Sequence, residues 1–516
     1  MDYKLKLRYS FNIKKSIAGP VTGKRRMSME LLREYSSFID GKFAETGSGR
    51  VLEDYNPSDL SLLARLFCAD DHLLEQSVKA SRAAFETWGK TSREYRASVL
   101  NKMADALDQN RDYLASIEAM DVGKPIEEAK QQIELSASMY RYFAAAILAQ
   151  DDTMVIHDQG SISALIREPL GVVGLILPWN APCMLLSWKA APALAAGNCI
   201  VVKPASAAPL IILELARLWA EIIPAGVFNV LLATGGGVGE KMMHHPGFDK
   251  FSFTGSTQVG KHIGEVTGGN IVPCTLELGG KSANIVFRDA QLDRAIQYSM
   301  LGILATQGEI CVGGSRLLLQ EDIYDEFLHR LKMKFETVKV GDPLDPSNQM
   351  GPLINEEQLD KVLHYIEIGK QEGAKLLCGG YRLTDEQHDK GFYMAPAIFA
   401  DVKNDMRIAR EEIFGPVLSV IKFSTEEEAI QIANDSDYGL GAAVWTKDIS
   451  RALRVGRALQ AGTVWVNDYL TSTPGNLFGG YKKSGIGREI QKMALQYYTN
   501  AKNLCICPDE TVPALF

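Results

Sequence analysis

From about residue 32 onward, apolar side chains recur every three to four positions through 72–88, 93–119 and 126–147. That period predicts three helices, with Gly123-Lys124-Pro125 punctuating the last two. From 165 to 287 the pattern changes to short apolar runs that alternate with helical stretches. The strand candidates there are GVVGLIL (171–177), CIVV (199–202), VFNVLL (227–232), KFSF (250–253), VPCTLEL (272–278) and ANIVF (283–287). A second alternating segment runs from near 290 to about 480, with strands expected at 316–320, 417–423, 441–446 and 462–466. Such alternation predicts an α/β fold with parallel sheets, and ligands in such sheets bind beyond the carboxyl ends of the strands. After Arg488 only a short strand at NLCIC (503–507) is expected. There is no internal repeat and no low-complexity tract.

A chain of 516 residues is too long for one hydrophobic core, so two or three domains are expected. Hydrophobic residues at 46% and charged residues at 23% are ordinary for a soluble globular protein. The net charge of −8 argues against a general polyanion-binding surface, and no nucleic-acid partner is expected. One uncharged run, 169–188, raises the question of a membrane span. Pro178, Asn180 and Pro182 break its second half, so no membrane partner is expected. The eight cysteines, at 68, 183, 199, 274, 311, 378, 505 and 507, form no CxxC or paired Cys/His spacing. That argues against a metal site or a disulfide framework and for reduced thiols in a cytoplasmic setting. The first thirty residues are basic and lack a long apolar core, which excludes a secretory signal. Residues 1–31 read as a floppy leader or as the product of an upstream start, with Met27 or Met29 as the working initiator.

Five stretches carry candidate chemistry. In ATQGEICVGGSR (305–316) a cysteine, Cys311, stands among glycines. Buried structural cysteines are common, but Gly308 and Gly313-Gly314 let backbone and substrate approach closely. If Cys311 starts a helix, local amides would also stabilise a thiolate and an oxyanion. In TLELGGKS (275–282) Glu277 ends an apolar strand ahead of two glycines. It is either a salt-bridged carboxylate or a general base whose pKa is raised by burial. Asn180 in LPWNAP (177–182) either caps the following helix or offers its amide to an oxyanion. Lys203 in VVKPASAAP (201–209) is a surface lysine or, at the carboxyl end of a strand, faces the ligand crevice. In FSFTGSTQVG (251–260) a strand runs into a small-residue turn and a helix, whose free amides and Ser256 hydroxyl suit a phosphate. Neither this loop nor TGGGVGE (234–240) matches GxGxxG.

In order and spacing these stretches resemble the aldehyde dehydrogenase superfamily from about residue 36 to 505. The resemblance extends to EEIFGPV (411–417) and FGGYKKSGIGRE (478–489), and Glu277 and Cys311 stand 34 residues apart, as is usual in that family. It implies an NAD(P)+-dependent, non-phosphorylating enzyme that oxidises an aldehyde to a carboxylic acid without a metal. Cys311 would be the nucleophile, passing through a thiohemiacetal and a thioester. The Asn180 amide and the Cys311 backbone N–H would hold the oxyanion, and Glu277 would activate water. Lys203 would bind the adenosine ribose, Gly255 and Ser256 the pyrophosphate, and Glu412 the nicotinamide ribose, with Trp179 beside the cleft. Three residues after Lys203, Ser206 replaces the glutamate with which many such enzymes repel a 2′-phosphate, so NADP+ should be tolerated or preferred over NAD+.

Phe478 and Trp188 would wall the substrate tunnel, unless they merely pack the core. Ala181, where the family often has phenylalanine, would widen the tunnel, and Leu185, Ile310, Val312, Leu470 and Ser472 would complete an apolar lining. No arginine stands in these loops, so an apolar or aromatic aldehyde is preferred to a dicarboxylic semialdehyde. The implied division is a Rossmann-type cofactor domain (32–148 and 168–279), a catalytic domain (280–488) and a β-arm (149–167 and 489–508). Through that arm such subunits form homodimers or homotetramers. The rivals are a CoA-acylating semialdehyde dehydrogenase, which typically lacks the ELGGK glutamate, and a non-catalytic protein of the lens-crystallin kind.

Overall fold

The computed structural model describes residues 31–45, 49–158 and 160–508; the proposed leader, apart from Leu31, lies outside the described residues. One sheet is built around five parallel strands, Val172–Ile176, Cys199–Lys203, Phe228–Val230, Lys250–Thr254 and Cys274–Glu277. Across the sheet their chain order is fifth, fourth, first, second, third. The order therefore reverses between Val172–Ile176 and Lys250–Thr254, and loops leaving these neighbours diverge to open a crevice. Gly485–Ile486 pairs antiparallel with one edge, and the short strands Phe38–Ile39 and Lys42–Phe43 extend the other. The central strands are buried on both faces, which is why Val172–Ile176 and residues 199–202 read as unbroken apolar runs.

Helix Pro182–Ala196 lies in the same interior. It is buried along almost its whole length, starts on a proline and ends at Gly197 with φ 99°. The expected helix 93–119 is two helices, Arg93–Gln109 and Arg111–Val122. Asn110 divides them: its side-chain amide donates to Ala106 O at 2.8 Å, competing with helix continuation.

The second sheet runs, in space, Lys375–Cys378, Ala397–Ala400, Val417–Phe423, Arg316–Gln320, Ala283–Val286, Gly441–Trp445 and Thr463–Val466. Its strands are parallel except the first. Ala283–Val286, which the apolar pattern groups with the earlier strands, sits in its centre. Each large sheet has an apolar cluster, one around Val172, Val201 and Phe251, the other around Ile285, Leu318 and Val444.

A third, antiparallel sheet joins Thr153–Ile156, Ile162–Pro169 and Thr499–Ile506. It leaves Met154, Val155, Ile156, Leu504 and Ile506 exposed. Among the described residues no helix is long and apolar enough to cross a membrane. The run 169–188 is instead divided between a strand and a helix.

Candidate active site

The carboxyl ends of the first sheet carry four of the five stretches. Strand Val172–Ile176 leads to Trp179 and Asn180, and Lys250–Thr254 leads to Gly255 and Ser256, so these two loops flank the crevice. Lys203 and Glu277 each end a neighbouring strand. Asn180 is buried, and its side-chain amide donates to Glu309 O at 2.8 Å instead of capping the helix. That bond ties the Trp179–Asn180 loop to the backbone two residues before Cys311.

Cys311 does not begin a helix. It lies in a turn that follows the tight segment Ala305–Gly308, in which Thr306, Gln307 and Gly308 have φ 47°, 54° and 76°. Left-handed backbone at two non-glycine residues in succession costs about 1 kcal/mol or more at each and persists only where neighbours enforce it. The amides beside the thiol are its own and that of Val312. They are outweighed: burial first, then the carboxylates of Glu412 and Glu277, push the thiol up to about 12. The glycines here bring main chain into close contact. A Cβ on Gly308 would lie 2.3 Å from Gly415 C, and one on Gly314 would lie 3.1 Å from the Tyr469 ring.

Glu277 is 4% exposed, and neither carboxylate oxygen has a hydrogen-bond partner among the described residues. The salt-bridge reading therefore does not hold in this structure. Burial raises its pKa well above the usual carboxylate range; Glu489 adds to the shift, and Lys189 and Arg488 oppose it. Lys189 and Glu489 form a buried ion pair at 2.5 Å. The two glycines after Glu277 are required by what crosses them. A Cβ on Gly279 would lie 2.2 Å from Glu412 Oε2, and one on Gly280 would lie 2.4 Å from Cys311 O. The Gly280 amide donates to Glu412 Oε1 at 3.0 Å. One short segment thus brings Glu277, Glu412 and Cys311 together.

Lys203 is buried rather than at the surface, its ammonium donates to Pro204 O at 2.9 Å, and burial lowers its pKa to about 8. A Cβ on Gly239 would press on its Cε at 3.0 Å, so the glycine-rich stretch 234–240 packs over this lysine. Ser206 is half-buried and donates to Ala233 O at 3.4 Å. Gly255 lies against the Phe253 ring, and exposed Ser256 caps helix Thr257–Gly269 by accepting from Val259 N at 3.3 Å. Trp179 meets Phe414 edge-on at 5.4 Å, two residues beyond Glu412.

Trp188 and Phe478 pack on each other at 4.8 Å, and Gly479, next to Phe478, has its Cβ position 3.0 Å from Glu277 Oε1. Ala181 and Leu185 are buried at the start of the same helix as Trp188. Ile310 and Val312 flank Cys311, and Val312 O accepts from the Tyr469 hydroxyl at 2.8 Å. Leu470, with φ 64°, and half-buried Ser472 follow Tyr469.

Sequence reasoning missed Tyr469, which supports the cysteine turn, and Lys361, whose charge acts on both Glu412 and Glu309. It also missed Glu309, which is fully buried, with one carboxylate oxygen accepting from Ile354 N at 3.2 Å and the other without a partner among the described residues. A glutamate two residues from the cysteine was the one signal available.

Residues 43–504 match the aldehyde dehydrogenase family. The chain belongs to that family. It is 43% identical over 481 residues to an aldehyde dehydrogenase of Deinococcus radiodurans, covering 92% of this chain and 93% of that one. Among solved structures, betaine aldehyde dehydrogenase of Staphylococcus aureus in complex with NAD+ superposes with a TM-score of 0.91 at 36% identity, covering 94% of this chain and 97% of that one. The indole-3-acetaldehyde dehydrogenase of P. syringae, a mutant in complex with NAD+ and IAA, gives 0.90 at 40% identity, covering 93% and 97%. This aldehyde dehydrogenase therefore has the fold that the motifs implied, and its crevice residues come from the same stretches.

Proposed function

We propose that this aldehyde dehydrogenase oxidises an apolar or aromatic aldehyde to its carboxylic acid with a nicotinamide dinucleotide, using Cys311 as nucleophile and water to release the product. The observation that carries the reading is the convergence on Cys311 of Glu277, a buried carboxylate without a partner, and Glu412, held at the ELGGK glycines. The crevice fits a dinucleotide. Open space surrounds Gly235 and Gly236, Lys203 lies beneath Gly239, and the exposed Ser256 and the amides of its helix start suit a pyrophosphate. Lys203 would hold the adenosine ribose, Gly255 and Ser256 the pyrophosphate, Glu412 the nicotinamide ribose, and Trp179 would line the cleft. When bound, the dinucleotide supplies a hydride acceptor.

Cys311 loses its thiol proton to solvent and attacks the aldehyde carbon as the thiolate, the carbonyl π pair moving to oxygen. The second N–H of the Asn180 amide, with the Cys311 backbone N–H, holds the oxyanion. After oxidation the acyl group remains on sulfur as a thioester. Glu277 then takes a proton from water that attacks the acyl carbon. Burial shifts Glu277 toward its neutral form, so this step is expected to accelerate as pH rises and the carboxylate gains ground. The packed pair Trp188 and Phe478 offers an apolar wall, which supports the aromatic or aliphatic substrate class.

The two solved structures described above are in complex with NAD+. At Ser206 no carboxylate stands to repel a 2′-phosphate, so NADP+ is proposed as an alternative cofactor. The exposed apolar arm, 149–167 with 489–508, is proposed to pair subunits into a homodimer or homotetramer. The division into a cofactor domain (32–148, 168–279) and a catalytic domain (280–488) is kept on the same terms. Eight free cysteines suit a cytoplasmic location.

The test is reduced-nicotinamide formation across aliphatic, aromatic and acidic aldehydes, with NAD+ and NADP+ separately, beside Cys311→Ala. Turnover without CoA that vanishes in the variant is expected. Turnover that requires CoA would give the acylating reaction instead, and unaltered turnover in Cys311→Ala would remove the proposed nucleophile.

A further inference from the structure

The left-handed run Thr306–Gln307–Gly308 sets where Cys311 sits, and something must enforce it. Helix Leu292–Leu304 ends just before the run, and continuing it would pair Thr306 N–H with Gly302 O. That carbonyl is already taken by Gly314 N at 2.8 Å. The stranded amide turns instead to Glu128, on the first turn of helix Ile126–Leu148, whose Oε2 accepts from Thr306 N at 2.9 Å. Glu128 Oε1 accepts from the Thr306 hydroxyl at 2.5 Å, so both bonds fall on a single residue.

Glu128 is itself held. Gln132, one turn further along the helix, donates to Glu128 Oε1 at 3.0 Å and accepts from the Lys124 ammonium at 2.5 Å. Lys124 is fully buried and paired with fully buried Glu118 at 2.7 Å. An ordered chain therefore runs from Glu118 through Lys124, Gln132 and Glu128 to Thr306. Beyond Thr306 the backbone turns at once: Thr306 O accepts from Glu309 N at 2.8 Å, and Glu309 O accepts from the Asn180 amide.

We propose that Glu128 is a positioning residue that, through its paired hydrogen bonds to Thr306, fixes the turn presenting Cys311 and the Asn180 amide to the same carbonyl. The proposal rests on Cys311 being the nucleophile. Charge on Glu128 does not enter the reaction; its geometry does. Misplacing a nucleophile by about 1 Å is enough to cost on the order of a hundredfold in rate.

The test compares Glu128→Ala and Glu128→Gln with the wild-type protein in steady-state turnover, dinucleotide affinity and thermal midpoint. Glu128→Ala is expected to lower kcat by about 10- to 100-fold while dinucleotide affinity stays within about twofold. Glu128→Gln retains one acceptor oxygen and is expected to fall between the two. A kcat within twofold of wild type in Glu128→Ala overturns the proposal. So does a parallel loss of kcat, dinucleotide affinity and thermal midpoint, which would mean that Glu128 only supports the fold. Should Glu128→Ala fail to fold, Thr306→Ala, which keeps the amide bond and loses the hydroxyl bond, must lower kcat without altering dinucleotide affinity; an unchanged kcat overturns the proposal. Wild-type protein that oxidises no aldehyde, or a fully active Cys311→Ala, would remove the underlying reading before any Glu128 variant is compared.

Discussion

The turn that carries Cys311 and the strand end that carries Glu277 meet at one centre but are held in opposite ways. The cysteine turn is gripped by Glu128, by the Asn180 amide on Glu309 O, by Gln307 donating to Pro352 O at 3.1 Å, and by Gly415 packed on Gly308. Glu277 sits on a strand fixed by the sheet, yet its carboxylate touches no hydrogen-bond donor among the described residues. A nucleophile gains from a fixed position, because its bond forms along one trajectory. A base that must change protonation state gains from the absence of fixed donors, which would lock the anion and weaken it as a base. Burial thus acts on both groups in the same sense: it disfavours the thiolate and raises the Glu277 carboxyl above the usual carboxylate range.

Breaking the two halves separately should give different kinetics. The largest contrast is expected from Glu277→Gln, which leaves the cysteine turn intact. Steady-state turnover should fall by about 10²–10⁴-fold, the range of a general base, while a rapid first turnover of reduced nicotinamide persists. A rapid-mixing trace with no burst would place Glu277 before the thioester instead of after it. Asn180→Ala removes both the oxyanion donor and the tie to Glu309 O, and about 10²–10³-fold in kcat is expected from the donor alone. Here the burst itself should slow. A variant with a normal burst and slow turnover would show that Asn180 serves the same half as Glu277.

The unequal treatment of these two regions also explains what could be read from the chain. The five parallel strands of the first sheet were legible because burial on both faces leaves a short, mostly apolar run at each. The strand ends were legible because Asn180, Lys203 and Glu277 each interrupt such a run with a polar group. The grip on the cysteine turn was not legible. Thr306 and Gln307 are ordinary residues whose left-handed backbone is imposed from outside, and Glu128 reads as one more acidic residue in a first helical turn. Asn110 likewise ends a helix through a bond to its own backbone, inside what reads as one periodic stretch. Ala283–Val286 was visible as a strand, but its apolar pattern did not show its sheet; only the boundary at 279/280 implied by the family resemblance separated it from the earlier strands. Pairings made at long sequence separation leave no trace in local periodicity.

The smallest expected effect concerns the sulfur alone. With burial, Glu412 and Glu277 pushing the Cys311 thiol up to about 12, the resting protein holds little thiolate at neutral pH. Thiolate is the alkylating form, so the rate of Cys311 modification by iodoacetamide should rise about tenfold per pH unit from 7 to 10 and show no plateau. Glu412→Gln removes a negative neighbour, which favours the thiolate and should raise that rate at a fixed pH. A plateau near pH 8 in the free protein would mean that the turn activates the thiol by itself, and the division between a fixed sulfur and a tunable carboxylate would then fail. A tenfold slope that flattens only after a dinucleotide is added would instead assign thiol activation to cofactor binding, and would leave Glu277 as the group whose ionisation its own burial controls.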